Sequence, residues 1–141
     1  MGLLHHVLVP VASEEDARET ASALEPYLTD INRMTAVHVI EKGGGSIDKA
    51  PVEKRRTDAE SLLAAFESAI GESADVDTRI EFGTDVGDTI VETALEAGAT
   101  AIAFRPRGGS GIVRMLTGNT AEDLVMEPAL PVIALPTPDE E

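Results

Sequence analysis

The sequence predicts an α/β domain built on a doubly wound parallel sheet with helices on both faces. Short apolar runs rich in β-branched residues alternate with longer segments whose apolar residues recur at helical spacing. This alternation favours parallel strands joined by right-handed helical crossovers. The chain has 141 residues, of which 43% are hydrophobic, which is enough to bury one sizeable core. We therefore expect a single domain over residues 1–141.

The first half of the chain is predicted to contain two strands and two helices. Leu3 to Val11 is mostly apolar, as expected of a strand buried on both faces of a sheet. Ser13 is a helix N-cap followed by three acids, and apolar spacing continues that helix to about residue 28. Met34 to Ile40 is a second strand, and the glycine-rich segment from Glu41 to Pro51 is typical of a flexible loop. A second helix then places four apolar residues on its inner side: Leu62, Leu63, Phe66 and Ile70.

The second half continues the pattern to a fifth strand. Val76 to Phe82 alternates apolar and charged residues, which indicates a strand with one exposed face near a sheet edge. Asp85 to Gly98 is a helix that ends at the glycine. Thr100 to Phe104 is a short buried strand, Thr120 to Glu127 a last helix, and Pro131 to Leu135 a last strand.

The charge of the chain is strongly acidic. Asp and Glu number 26 against 11 Lys and Arg, which gives a formal net charge of −15. Such a surface repels nucleic-acid phosphates and anionic lipid, so coating DNA or binding a membrane surface is disfavoured. Acids spread along the whole chain, with only three lysines, favour a protein kept soluble in a high-salt cytoplasm, that is, a halophilic one.

Several other classes of site find no support in the sequence. The chain has no cysteine, which excludes disulfides and thiolate chemistry, and it shows neither a secretory signal nor a membrane-spanning run. We therefore expect a cytoplasmic protein. His5, His6 and His38 lack metal-ligand spacing and are expected to be structural. Ser13 and Ser110 have no predicted His and Asp partners, so a nucleophilic triad is not supported.

The predicted ligand site lies where the strand order reverses. In doubly wound sheets, ligands bind beyond the carboxyl ends of the strands at this point. If the chain starts in the middle of the sheet, the first and fourth strands are neighbours there. The crevice is then lined by Ala12 and Ser13 on one side and by the loop from Arg105 to Gly111 on the other.

Glycines and arginines in this region indicate an anion site. Three glycines of the loop allow backbone N–H groups to approach a ligand, and Gly118-Asn119-Thr120 opens a helix whose positive end suits a phosphate. The alternative is a mobile loop and an ordinary cap, since Asn119 and Glu122 resemble a capping box. Three arginines within ten residues suit bidentate phosphate contact, or instead neutralise nearby carboxylates. They are Arg105, Arg107 and Arg114.

The chain resembles the universal stress proteins over nearly all of its length. Five segments carry the resemblance: residues 6–11 (HVLVPV), 36–41 (AVHVIE), 99–104 (ATAIAF), 107–122 and 131–135 (PVIAL). The resemblance implies a five-stranded sheet in order 3-2-1-4-5, Rossmann-like and similar to adenine nucleotide alpha hydrolases. It also implies a homodimer paired through the last strand, Val132, Ile133, Ala134 and Leu135, whose apolar edge would otherwise be exposed.

One branch of that family binds ATP or a related nucleotide through Gly-x-x-Gly, nine residues, then Gly-Ser or Gly-Thr. The second glycine falls on Gly108, and nine residues separate it from Gly118, so the long spacing is intact. Three positions depart from the pattern. The first motif glycine falls on Arg105, the final Ser or Thr on Asn119, and the aspartate after the first strand on Ala12.

These departures bear on the ligand. Arg105 either obstructs the approach to the backbone or projects outward and clamps a phosphate, whereas Asn119 still caps a helix. Losing the aspartate removes a ribose or metal contact, worth roughly ten- to a hundred-fold in affinity. The expected nucleotide-binding residues are Pro10, Val11, Ala12, Val39, Arg105, Arg107, Gly108, Gly109, Gly118, Asn119 and Thr120.

The function expected from this resemblance is that of a non-catalytic stress-response dimer that binds ATP, AMP or another phosphate-bearing anion. The alternative is a nucleotide-free interaction module that regulates a partner such as a transporter. Weak ATP hydrolysis comes third, because no residue is an evident base for activating water.

Overall fold

A computed structural model describes residues 2–41, 49–106, 124–126 and 128–136, without the side chains of residues 49–52. Five parallel strands form one sheet in the order β3-β2-β1-β4-β5. This confirms the expected doubly wound sheet and its 3-2-1-4-5 order. The strands are β1 (His6–Pro10), β2 (Arg33–Glu41), β3 (Asp75–Gly83), β4 (Ala101–Phe104) and β5 (Val132–Ala134).

In the ranges that the structure describes, helices α1 (Glu14–Leu24), α2 (Lys49–Ile70) and α3 (Val86–Ala97) pack on the two faces of the sheet. Successive residues of a strand point to opposite faces, so neighbouring side chains join different cores. Val7 and Val9 pack with apolar residues of α1 and α2. Leu8 packs on the other face with α3 and with Leu124, which belongs to the helical residues 124–126. The predicted helix from Thr120 to Glu127 otherwise lies outside the described residues.

The boundaries of α1 and α2 differ from the predicted ones because of prolines. α1 ends at Leu24 and not near residue 28, and a 3₁₀ segment, Glu25–Asp30, follows it. Pro26 has no N–H to continue the α-helical ladder, and its ring disfavours the preceding turn. α2 begins at Lys49, inside the predicted loop, since the missing N–H of Pro51 is unneeded in a first turn. Residues 42–48 of that loop lie outside the described residues.

The ends of α3 confirm the sequence prediction. The Asp85 side chain accepts a hydrogen bond from the Asp88 N–H at 2.9 Å, which caps the first turn. Gly98 ends the helix with φ of +78°, a left-handed conformation that favours glycine.

The edge strands are β3 and β5, as the alternation in β3 and the resemblance predicted. The Pro131 carbonyl and the Leu135 N–H bond to β4 at 2.9 and 2.8 Å. Because these directions alternate along a strand, Val132 and Ala134 turn their backbone groups to the open edge.

Candidate functional site

The carboxyl ends of β1 and β4 lie side by side. Val7 pairs with Ala101 and Leu8 with Ile102, and the chain enters the sheet at its middle strand. The strand order therefore reverses between β1 and β4, which is where doubly wound folds bind ligands. Pro10, at the end of β1, and Arg105, after β4, both lie at this edge.

The turn after β1 has its backbone groups engaged within the chain. The Val11 N–H donates to the Val37 carbonyl at 3.0 Å, and the Val11 carbonyl accepts from His38 Nδ1 at 2.8 Å. The Ala12 N–H donates to Asp16 Oδ2 at 2.8 Å. A ligand at this end of β1 would therefore meet Val11 and Ala12 through packing and not through these three groups.

The first turn of α1 holds a buried carboxylate, that of Asp16, near the carboxyl end of β1. Ser13 is the N-cap, and its Oγ accepts from the Asp16 N–H at 3.0 Å. The Asp16 carboxylate in turn accepts a hydrogen bond from the Ala12 N–H, in a variant of the capping box. Thr20, one turn later, donates to Asp16 Oδ1 at 3.3 Å. The Asp16 carboxylate is thus buried and held in place at the end of β1.

Arg105 turns its side chain beneath α1. The residue is 2% exposed, and its Nη2 donates to Glu19 Oε1 and lies 3.8 Å from Asp16 Oδ1. Its Nε has no hydrogen-bond partner among the described residues. The sequence left two roles open for Arg105, phosphate contact and neutralisation of nearby carboxylates, and this geometry corresponds to the second.

Sequence reasoning did not single out Asp16 or Glu19 as partners of Arg105. Asp16 was interpreted only as a first-turn acid. The available signal was their i, i+3 spacing, which places both on one side of α1, with Thr20 following Asp16 by four residues on the same side.

A small cleft lies at the carboxyl end of β2. It has a volume of about 290 Å³, near the lower limit for ligand pockets. Both terminal nitrogens of Arg55 on α2 donate to the Glu41 carbonyl at 3.0 Å, which ties α2 to the end of β2. Val39, one of the expected nucleotide-binding residues, belongs to this cleft. The described lining residues are His38, Val39, Ile40, Glu41, Arg55 and Asp58.

His38 is a neutral hydrogen-bond donor in this cleft. Burial lowers the pKa of its imidazole below 6.5, and the hydrogen bond to Val11 opposes this only in part. Because a carbonyl only accepts, the proton of the neutral ring is assigned to Nδ1. Nε2 is then left as an acceptor.

A larger cleft, of about 550 Å³, lies at the opposite end of the sheet. Its lining includes His6, Thr35, Asp77 and Arg79. His6 Nε2 lies 2.8 Å from the Thr35 hydroxyl, and burial lowers the pKa of His6. We do not place the ligand there, because this is the amino-terminal end of the strands.

Arg107, Gly108, Gly109, Gly118, Asn119 and Thr120 lie outside the described residues. Of the expected dimer strand, Leu135 is buried in the chain's own core, Val132 and Ile133 are half-buried, and Ala134 is exposed.

The described residues bring together no group of three or more His, Cys, Asp or Glu side chains suited to a metal ion. None of the helices in the same residues has the length and apolar character that crossing a membrane requires.

Comparison with known proteins gives a consistent picture. A model of the universal stress protein family matches residues 4–136. No curated protein matches the sequence. Among solved structures, the chain is similar to a universal stress protein family member from Burkholderia pseudomallei, with 20% identity and a TM-score of 0.74. The match covers 97% of this chain and 99% of that one.

Two other similar structures were solved with nucleotides. The universal stress protein from Archaeoglobus fulgidus in complex with dAMP is 21% identical, with a TM-score of 0.62 over 96% of this chain and 100% of that one. A family protein from Arabidopsis thaliana with AMP bound is 18% identical, with a TM-score of 0.65 over 93% and 90%. At these identities the likeness shows the fold.

Proposed function

Since the chain belongs to the universal stress protein family, we propose that it is a non-catalytic stress-response protein that binds an adenine nucleotide, ATP or AMP, in the crevice between β1 and β4. The observation that carries this proposal is the reversal of strand order at β1 and β4, beside the cleft at the end of β2. Two similar structures, described as complexes with dAMP and AMP, add support.

We propose that the nucleotide lies across the carboxyl ends of β2, β1 and β4. The base lies in the cleft lined by His38 and Val39, and the rest of the ligand extends past Ala12 towards Arg105. Gly108 and Gly118 belong to the proposed site through the motif spacing alone. We also propose binding without turnover, because no residue of the sequence is an evident base for activating water.

A second candidate function is a nucleotide-free module that acts on a protein partner. The observation in its favour is the burial of Arg105 against Asp16 and Glu19, which withdraws a cation from the crevice. In either case we propose a homodimer through β5. A cytoplasmic location remains part of the proposal and agrees with a sequence free of cysteine.

Calorimetric titration with AMP, in molar potassium chloride, tests the nucleotide proposal. We expect heat of binding at up to millimolar ligand, and no heat from inorganic phosphate alone. An absence of heat from AMP at millimolar concentration would favour the nucleotide-free module.

Two variants test the location of the ligand. Arg55→Gln and Arg79→Gln each remove one arginine charge, but Arg55 lines the cleft at the end of β2 and Arg79 lines the cleft at the opposite end. We expect Arg55→Gln to weaken AMP binding, because Arg55 lines the cleft proposed for the base and ties α2 to the end of β2, and Arg79→Gln to leave it unchanged. The reverse result would move the ligand to the opposite cleft.

A further inference from the structure

We propose that the larger cleft, at the amino-terminal end of the strands, is a second binding site, for a small zwitterion such as a free amino acid. Its volume of about 550 Å³ lies within the range of ligand pockets. The observation that carries this inference is that the cleft is lined by an incompletely paired guanidinium, that of Arg79, and by a carboxylate without a described partner, that of Glu67.

Two of the four charged residues described in the lining already neutralise each other. Arg33 Nη2 donates to Asp77 Oδ2 at 2.5 Å, a charge-assisted hydrogen bond that joins the starts of β2 and β3. The two charged residues that remain are Arg79 on β3 and Glu67 on α2. The lining therefore offers a ligand one positive and one negative group, on different elements of the fold.

The guanidinium of Arg79 lacks an acceptor. Its Nη1 is buried and has no hydrogen-bond partner among the described residues, and its Nε is 3.8 Å from Glu81 Oε2, too far for a hydrogen bond. Buried donors are nearly always paired, so Nη1 indicates that a ligand supplies the acceptor. The side chain is 36% exposed, which leaves it accessible from the cleft. A carboxylate matches the parallel N–H donors of a guanidinium.

The carboxylate of Glu67 makes a simple anion a poor ligand for this cleft. Glu67 is exposed on α2, and its carboxylate makes no hydrogen bond or ion pair with another described residue. It repels an anion, as does the net charge of −15 over the whole chain. A zwitterion has no net charge to be repelled. Its carboxylate meets Arg79 and its ammonium group meets Glu67.

Two buried residues of the lining add no charge to the cleft. His6 and Thr35 are 4% and 2% exposed, and His6 Nε2 lies 2.8 Å from the Thr35 hydroxyl. Burial lowers the pKa of the His6 imidazole, so the ring is neutral at neutral pH. The choice of ligand by charge therefore falls to Arg79 and Glu67.

The test adds alanine, acetate or ethylammonium to the isotope-labelled chain, at the lowest salt in which it remains folded, and follows the backbone amide NMR shifts. We expect millimolar alanine to move the amides of Thr35, Asp77 and Arg79. Acetate and ethylammonium each carry only one of the two charges and should leave these amides in place. Arg79→Gln and Glu67→Gln each remove one of the two complementary charges, so each should abolish the response to alanine.

Two control variants remove the same kinds of charge from exposed side chains that do not line the cleft: Glu60→Gln on α2 and Arg18→Gln on α1. Both should keep the response to alanine. The inference is overturned if neither alanine nor glutamine moves these amides, if acetate moves them as strongly as alanine, or if the controls lose the response as well. The proposed nucleotide site is tested separately, because Arg79→Gln should leave AMP binding unchanged.

Discussion

Arg105 takes its partners from a helix 86 residues earlier in the chain. Removing one partner of a buried ion pair leaves the other charge without compensation, which costs about 3–5 kcal/mol. The sequence brought attention to Arg105 because a glycine was expected at its position. The i, i+3 spacing of Asp16 and Glu19 places both on one side of α1, but their proximity to Arg105 arises only in the folded chain.

Replacing Arg105 by methionine should therefore destabilise the chain. The buried Asp16 carboxylate would lose its cation, so we expect the free energy of unfolding to fall by about 3–5 kcal/mol in urea titration. Arg18→Met is the control, because Arg18 pairs with Glu14 at 3.7 Å on an exposed surface. Its effect should stay within about 1 kcal/mol. Equal losses in both variants would mean that the Arg105 contact contributes no more than a surface pair.

His38 should make stability depend on pH. Burial lowers its pKa in the folded state, so between pH 6.5 and the folded pKa the unfolded chain binds more protons. Its contribution to stability is complete above pH 6.5 and is lost as the pH falls through this window. His38→Gln retains an N–H donor for Val11 and should reduce the loss of stability between pH 7.5 and 5.5, measured by urea unfolding.

His6 should also make the chain less stable as the pH falls below 6.5, because burial lowers the pKa of its imidazole. A His38→Gln chain with an unaltered pH dependence would contradict this account of the His38–Val11 hydrogen bond.

At the scale of elements, local chemistry predicted some boundaries and missed others. Asp85 and Gly98 limit α3 as expected, because a cap and a left-handed glycine act locally. The predicted end of α1, near residue 28, is too late because the apolar spacing continues beyond the true end of the helix at Leu24. Leu28 is indeed buried, but it belongs to the 3₁₀ segment that Pro26 introduces.

Gly98→Ala should destabilise the chain through its backbone alone. A Cβ there would meet nothing within 4 Å, so the cost arises from φ of +78° and is about 1–2 kcal/mol. Gly98→Asn should cost less, because asparagine tolerates this conformation better. Thermal unfolding of both variants measures the difference. If alanine proves as stable as glycine, α3 ends in another way.

The dimer proposal makes a prediction at the scale of the whole molecule. Ala134 is exposed, and its N–H turns to the open edge of β5, away from β4. Ala134→Pro removes that donor and spares the bonds to β4, so we expect sedimentation to shift from dimer to monomer. Ala134→Ser keeps the N–H and should remain dimeric. A dimer that persists with proline would exclude pairing through this edge.

The acidic surface makes a second prediction at this scale. A formal charge of −15 produces self-repulsion that salt screens, with a screening length of about 30 Å at 0.01 M and about 3 Å at 1 M. We therefore expect a higher midpoint of thermal unfolding in molar potassium chloride than in dilute buffer. Equal midpoints would count against adaptation to high salt.

The whole fold was more predictable than the site within it. The alternation of strands and helices predicted the doubly wound sheet, and the resemblance predicted its strand order. Both depend on patterns that extend over long stretches of the chain. The crevice depends on single contacts such as His38 to Val11 and Arg105 to Glu19. Such tertiary contacts between distant residues leave no periodic trace in the sequence.

The central claim is that a nucleotide binds at the carboxyl ends of β1, β2 and β4. The most direct measurement is the change in backbone amide NMR shifts when AMP is added to the isotope-labelled chain. The account predicts that the largest shifts cluster at Val11, Ala12, Val39 and Arg105. An absence of shifts at millimolar AMP, or a cluster around Thr35, Asp77 and Arg79 at the opposite end, would contradict it.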